Sequence, residues 1–168
     1  MVNIITKEIE NENINGDISY QIARFNQKDL SLSLGQKLEK LTYSGFFNHF
    51  TNDGYDLNPE VNGNTIDPFK NHTLNVNFDY KFSEKFKLKS KNRFFKQLID
   101  AAIFSDGEEL NSDSTIDEIG LFLGAEHKIT DKTNLFYEGY YTKYKSEEEF
   151  NVSEIEGITD DDTSFFSS

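Results

Sequence analysis

Four basic side chains recur at every second position of one short segment, namely Lys87, Lys89, Lys91 and Arg93. Successive side chains of a β-strand point to opposite faces, so this spacing predicts a strand with a basic stripe along one face. A stripe of this kind can pair with the carboxylates of a segment that lies against it. For any single one of these residues, we instead expect a place on a solvated wall of the sheet with no specific role.

Carboxylates are the second group that could do chemistry, because clustered carboxylates can bind calcium. They gather in predicted loops and in the tail: Asp53, Asp56, Asp67, Asp106, Glu108, Glu109, Asp113, Glu147, Glu148 and Glu149. The run from Asp106 to Glu109 does not match a full calcium-loop spacing, so we expect ordinary solvated loops. The same acids argue against direct attraction of an anionic substrate to these loops.

No grouping of catalytic or metal-binding residues stands out. His49, His72 and His127 are far apart in the sequence and lack a paired metal spacing. The sequence has no cysteine, and no Ser/His/Asp grouping, phosphate loop or carboxylate pair is evident. We therefore expect no enzyme, no metal site and no cofactor. Tyr55 and Phe69 lie in a predicted loop, where loop packing is expected and ligand contact is the alternative.

The elements that carry these residues are predicted from strict alternation after His72. The apolar residues of the first arm are Leu74, Val76, Phe78, Tyr80 and Phe82. After a polar turn at 83–85, the chain returns as a second arm that carries the basic stripe on one face and apolar residues on the other. Each arm has about the 9–11 residues that a tilted strand needs to cross a bilayer.

The same unit repeats along the chain and predicts an all-β fold, an antiparallel up-and-down meander of seven to eight strands. The strands are expected at Asp17–Phe25, Asp29–Lys37, Leu41–Asn52, His72–Phe82, Phe86–Phe94, Ile119–Ile129 and Thr133–Lys145, with an eighth beginning at Phe165–Phe166. Short turns at 38–40, 83–85 and 130–132 alternate with long loops at 53–71 and 98–117 and an acidic tail from Ser146. The segment Lys96–Phe104 has room for one or two helical turns. Such sorting of connections is typical of a transmembrane β-barrel.

The composition limits the class of protein and its partners. Only 36% of the 168 residues are hydrophobic, yet 14% are aromatic, which suits alternating strands joined by wet loops better than a disordered chain. The net charge of −13 excludes nucleic acid as an expected partner, since phosphate contacts need a basic surface. No run approaches the roughly 20 apolar residues of a membrane helix. Aromatic girdles of a barrel are expected at Phe82, Phe86, Phe94, Tyr141 and Tyr144, with core aromatics of a soluble sheet as the alternative.

The segment Val2-Asn-Ile-Ile-Thr-Lys7 resembles the end of the plug domain in TonB-dependent outer-membrane receptors. The segment Asn52-Asp-Gly-Tyr-Asp-Leu57 and the order of hairpins through Tyr144 are also similar to that family. The resemblance implies that residues 1–10 are a remnant of the last plug strand and its linker. Residues 11–168 would then form part of a large transmembrane β-barrel, with the short turns periplasmic and the long loops extracellular.

The resemblance also implies partners and a location. These are the lipid bilayer of the bacterial outer membrane, the protein's own plug domain, the TonB complex, and a small-molecule or metal-chelate ligand such as an iron–siderophore complex, haem or cobalamin. Seven or eight strands are few beside the roughly 22 of large plugged transporters. Met1–Glu8 lacks the features of a signal peptide, so the chain is either cytoplasmic or lacks its true beginning.

We therefore expect a fragment, roughly the amino-terminal third of such a barrel, which transports nothing by itself. The alternative is a soluble exported β-rich binding module. Its apolar faces would have to meet each other in a core of their own.

Overall fold

Seven β-strands form a single antiparallel sheet in which every strand pairs with its neighbours in sequence. The structure, a computed structural model, describes residues 9, 12–58, 60, 63–105 and 108–152, except for the side chains of 103–110 and 151–152. The strands are β1 (Asn15–Ile22), β2 (Lys28–Lys37), β3 (Leu41–Asn52), β4 (Phe69–Ser83), β5 (Phe86–Ser105), β6 (Glu108–Thr130) and β7 (Thr133–Val152). The prediction of an all-β up-and-down meander is confirmed. The eighth strand expected at Phe165–Phe166 lies outside the described residues, as does most of segment 1–10.

The register of the strands sorts the side chains onto two faces. One row of directly paired residues crosses six strands and consists of Ile18, Leu32, Phe47, Leu74, Phe94 and Ile119. We call the side of the sheet that carries this row the apolar face, and the opposite side the polar face. A slip of one residue in any strand would move its apolar side chains to the polar face, so the alternating pattern specifies the register.

The connections define two ends of the sheet. The turn end has the connections at 38–40, 84–85 and 131–132, and the loop end has those at 23–27, 53–68 and 106–107. The sheet is open, because within the described residues β1 and β7 each pair on one side only.

The prediction of a long loop at 98–117 is wrong, and so is the prediction of helical turns at Lys96–Phe104. Strands β5 and β6 continue in register until only two residues, 106 and 107, separate them. Asp-Gly at these positions is a dipeptide typical of two-residue hairpin loops, and Ile and Phe precede it in the β-prone sequence. The acidic composition of this region favours a loop, which is why the sequence pattern predicted one here. Short and long connections therefore do not alternate strictly along the chain.

The last three strands are much longer than the first four. Strands β5, β6 and β7 have 20, 23 and 20 residues, whereas β1 to β4 have 8 to 15. Asn52, Phe69, Ile99 and Ser114 are paired in one row where β3 ends and β4 begins. Beyond that row, β5 and β6 extend for about another 20 Å at the usual rise per residue. Strand β7 continues beside β6 as far as Val152. These three strands form a narrow ribbon that projects from the loop end.

The connection at 53–68 is held by local hydrogen bonds and by a contact with the first turn. Asn52 accepts a bond of 2.7 Å from the Gly54 amide, and Tyr55 and Ile66 exchange two backbone bonds of 2.9 and 3.0 Å. The expectation that the first strand reaches Phe25 is wrong. Strand β1 ends at Ile22, and Phe25 takes a φ of 61° in the turn, where its ring stacks on Tyr55 with centroids 4.4 Å apart.

The sheet has no hydrophobic core among its described side chains, since no apolar residue there is buried. Large apolar side chains instead stay exposed on the apolar face, such as Ile18 at 74% and Phe78 at 44%. No second layer of described structure covers them, so the driving force for burying this face is left unsatisfied.

Among the described residues, no helix is long and apolar enough to cross a membrane.

Substitution of Gly54 by Ala is expected to destabilise the fold by about 1–2 kcal/mol, because an L-residue is strained at a left-handed φ. Gly54 has a φ of 79°, and an added Cβ would lie 2.8 Å from the Pro68 ring and 2.9 Å from the Ile66 carbonyl oxygen. Gly139→Ala is the matched control, since a Cβ there meets nothing within 4 Å. Urea unfolding followed by circular dichroism measures both. Equal losses in the two variants would contradict the assigned loop geometry.

Candidate functional site

The apolar face is the most extended chemical feature of the chain. On β6 it carries Ile119, Leu121, Leu123 and Ala125 in succession, and His127 closes the series at the turn end. The distance from Ile119 to His127 is roughly 27 Å along the strand. Rows of paired residues extend this apolar band across the sheet. The band is a surface that needs an apolar partner, whether lipid or protein.

A polar pair on β5 interrupts the apolar band, and its hydrogen bonds are satisfied within the sheet. Ser90 and Asn92 of β5 lie opposite Phe78 and Val76 of β4. The Asn92 amide donates to the Val76 carbonyl oxygen at 3.0 Å and to the Ser90 hydroxyl at 3.0 Å. A polar group is costly in an apolar environment only where its hydrogen bonds are unmade, so this pair is compatible with apolar surroundings. The sequence pattern predicts Phe86, Leu88 and Phe94 on this face and does not include this pair.

Aromatic rings cluster at the turn end of the sheet. Centroid distances are 4.6 Å between Tyr80 and Phe82, 5.5 Å between Phe82 and Phe86, and 5.7 Å between Phe86 and His127. The predicted aromatic positions at this end are therefore brought together.

The aromatic residues expected at the other end are not all brought together. Phe94 lies in the apolar row nearest the loop end, but Tyr141 pairs with Leu121 near the middle of the band. Tyr144 pairs with Glu118 on the polar face. Neither tyrosine is at the strand end, because β7 continues seven residues beyond its predicted end at Lys145, to Val152. Tyr144 is three residues from Tyr141, and an odd separation places the two side chains on opposite faces.

The predicted basic stripe lies on the polar face and is partly neutralised within the sheet. Lys87 forms an ion pair of 3.7 Å with Glu126, and Arg93 forms one of 3.2 Å with Glu118. The described residues provide no ion pair for Lys89 or Lys91. The two central cations of the stripe are therefore available to another partner.

These free cations line an open groove of about 610 Å³ at the turn end of the polar face. Its charged lining residues are Lys37, Glu39, Lys40, Asp79, Lys81, Lys87, Lys89 and Lys91. Six lysines against two acids make this groove strongly basic, although the whole chain has a net charge of −13. The segment before β1 enters on this side, because Ile9 lies against Gly35 at the groove edge, where a Cβ on Gly35 would overlap it.

Three of the candidates for ligand or metal binding, namely Asp56, Tyr55 and Phe69, are engaged in local contacts. Asp56 accepts bonds from the Asn58 amide at 2.8 Å and from the Thr65 hydroxyl at 3.1 Å. The Tyr55 ring stacks on Phe25, and Phe69, which begins β4, stacks on Phe50 at 5.4 Å.

Among described residues, no three His, Asp or Glu side chains are arranged to hold a metal ion. The acidic residues Asp106, Glu108 and Glu109, for which ordinary solvated loops were expected, lie outside the described side chains.

The register brings two of the three histidines together, although they are far apart in the sequence. His49 and His72 pair directly across β3 and β4, with stacked rings 4.6 Å apart and Nδ1 atoms 3.2 Å apart. Cross-strand partners cannot be deduced from spacing along one strand, which is why the sequence analysis treated these residues as separate. His127 is at the opposite end of the sheet.

No family model, curated protein or solved structure matches this chain.

The ion pair between Arg93 and Glu118 is expected to contribute about 0.2–1 kcal/mol of coupling, the usual range for exposed pairs. A double-mutant cycle with Arg93→Gln and Glu118→Gln measures that coupling in urea unfolding, and added salt should reduce it. The matched cycle uses Lys89→Gln and Asp79→Asn, which pair in register without an ion pair within 4.0 Å. A larger coupling in this second cycle would overturn the assignment of partners along the stripe.

Proposed function

We propose that this chain forms part of the wall of a transmembrane β-barrel in the bacterial outer membrane, with its apolar face toward lipid. The observation that carries the proposal is the extended apolar face without a core. A sheet that exposes this much apolar surface needs an environment that is itself apolar. A bilayer supplies such an environment along the whole band.

The dimensions of the apolar band support a membrane contact. Its roughly 27 Å along the strand corresponds to a height of about 20 Å once strands tilt by the usual 35–45°, close to the 25 Å apolar belt of outer-membrane barrels. Antiparallel meander topology is also the topology of such barrels. Each backbone group in the interior of the sheet has a hydrogen-bonding neighbour strand, as the hydrocarbon region requires. Closure by further strands would satisfy the free edges of β1 and β7.

The polar face is then the inner wall of the barrel. Lys87, Lys89, Lys91 and Arg93 could not face lipid in a row, because each cation at the bilayer midplane costs about 2–4 kcal/mol. The position of Ile9 supports this orientation, since the segment before β1 lies on the same side as the basic groove. A domain that precedes β1 would therefore enter the lumen from the turn end.

The transport role is the second part of the proposal. Because Val2–Lys7 resembles the end of a plug, we propose that the barrel belongs to a TonB-dependent import receptor. The plug would occupy the lumen and offer carboxylates to Lys89 and Lys91. Extracellular loops would capture an iron–siderophore complex, haem or cobalamin, and the TonB complex would drive rearrangement of the plug. This chain supplies the wall, the connection at 53–68 and the ribbon of β5, β6 and β7.

The single open sheet argues against a soluble binding module. Such a module needs its apolar faces to meet in a core, and the described residues provide only one layer.

Val76→Arg is expected to block insertion into lipid vesicles, because Val76 lies within the apolar band and its replacement places a charge in lipid at a cost of about 2–4 kcal/mol. Insertion is measured as heat-modified gel mobility of the chain after refolding into vesicles. Phe78→Arg, two residues further along the same face, should behave alike.

The matched control is Asn77→Arg, on the polar face between these two positions. The new cation lies opposite Lys91, where repulsion costs less than about 1 kcal/mol in contact with water, so insertion should persist. Equal tolerance of arginine at 76 and 77 would refute the lipid-facing assignment. A soluble, cooperatively melting monomer in the absence of detergent would favour the binding module instead.

A further inference from the structure

A row of ionisable residues crosses the apolar face directly beyond the apolar band, toward the loop end. It consists of His49, His72, Lys96, Asp117 and Lys145, paired in register across β3 to β7. The neighbouring row toward the turn end contains Phe47, Leu74, Phe94 and Ile119, and it continues on β7 as Lys143. From β3 to β6 the face thus changes from apolar to ionisable within a single step of the strand pleat, whereas on β7 the change comes one row earlier.

A groove of about 390 Å³ lies at this boundary. Its floor is apolar and includes Phe47, Leu74, Phe94 and Ile119. Its charged rim on the same face consists of Lys96, Asp117, Lys143 and Lys145. Glu118 also lines the groove, but its carboxylate bonds Arg93 on the polar face.

The cations of the rim are neutralised to different degrees. Lys96 is 4.0 Å from Asp117, the outer limit of an ion pair, and both side chains are about half exposed. Lys145 pairs with Glu147 at 2.5 Å, whereas Lys143 has no ion pair among the described residues.

Further lysines lie on the same face one row outward, namely Lys28 and Lys70. At the groove itself, three lysines face one carboxylate of this face, Asp117, and the row of Lys70 also contains Glu147. The next row outward is acidic and pairs Asp100, Asp113 and Glu149 in register. The excess of positive charge is therefore confined to the groove and the row beside it. The local excess of positive charge contrasts with the net charge of −13 of the chain.

We propose that this groove binds a phosphorylated lipid of the outer leaflet, with an acyl chain against Phe47, Leu74 and Phe94 and the phosphate at Lys96, Lys143 and Lys145. The inference rests on the proposed orientation of the apolar face toward lipid. An apolar floor beneath a basic rim matches the two parts of such a lipid. Lysines near a membrane surface attract anionic headgroups, and phosphate oxygens accept charge-assisted hydrogen bonds from them. A free phosphate ion would use the rim but gain nothing from the floor.

The test is native mass spectrometry of the full chain refolded in detergent micelles. Phosphatidic acid is the probe, phosphatidylcholine with the same acyl chains is the zwitterionic control, and inorganic phosphate is the competitor. The groove variant is Lys96→Gln/Lys143→Gln/Lys145→Gln. The matched variant removes the same charge at the turn end, as Lys85→Gln/Lys128→Gln/Lys132→Gln. Binding of phosphatidic acid should fall about tenfold or more in the groove variant and stay unchanged in the matched variant.

A charge-retaining variant, Lys96→Arg/Lys143→Arg/Lys145→Arg, should still prefer phosphatidic acid to phosphatidylcholine. This result would show that substitution at these three positions does not abolish binding by misfolding the chain. Equal losses in the two glutamine variants, no preference over phosphatidylcholine, or full displacement by inorganic phosphate would each overturn the inference. Solubility separates the two proposals. A chain that is a soluble, cooperatively melting monomer without detergent refutes the membrane orientation and this site with it, while a chain that needs detergent but does not prefer phosphatidic acid refutes only the lipid site.

Discussion

Alternation of apolar and polar side chains, held in one register across seven strands, is the constraint on which the structure depends. Every strand contributes side chains to both faces, and the pairing from Ile18 to Ile119 keeps apolar residues in one continuous row across six strands. Backbone hydrogen bonds alone do not select one register. The alternating pattern selects it, because a slip of one residue would move every side chain of that strand to the opposite face. The free energy of burying the apolar face is not realised within the sheet, because no described side chain covers it. The surroundings of that face therefore decide whether the fold is stable.

The division into faces gives each group of residues a distinct role in the proposed barrel. Lipid would cover the apolar band, and the Asn92 amide is already bonded within it. On the other face, the groove around Lys89 and Lys91 offers free cations to whatever occupies the lumen. The charged row through Lys96 marks the level at which the apolar face would leave the hydrocarbon. The position of a residue along its strand and the face that it occupies therefore explain the local apolar and basic surfaces, which the overall composition does not reveal.

Local patterns along single strands predicted much of this fold, and relations between strands account for most of what they missed. Alternation from Leu74 to Phe82 placed β4 and its two faces correctly, and the same rule placed the basic stripe on the polar face. The extension of β5 and β6 was missed because acidic residues around 106 suggested a loop, although Asp-Gly is a hairpin signal. The pairing of His49 with His72 and the groove at Lys96 depend on register across strands. Phe25 lies in a turn and not in the predicted strand, and its ring stacks on Tyr55, a residue thirty positions away.

The most direct test of the lipid-facing assignment is spin-label accessibility along β4. The chain has no native cysteine, so single cysteines can be introduced at positions 73 to 79 and labelled after refolding into lipid vesicles. Collision rates with oxygen, which concentrates in lipid, and with a water-soluble nickel chelate are then compared. The account predicts that both rates oscillate with a period of two residues and in opposite phase, with oxygen contact highest at 74, 76 and 78. Apolar positions shielded from both reagents would mean that the apolar face lies in a protein core, and would contradict the account.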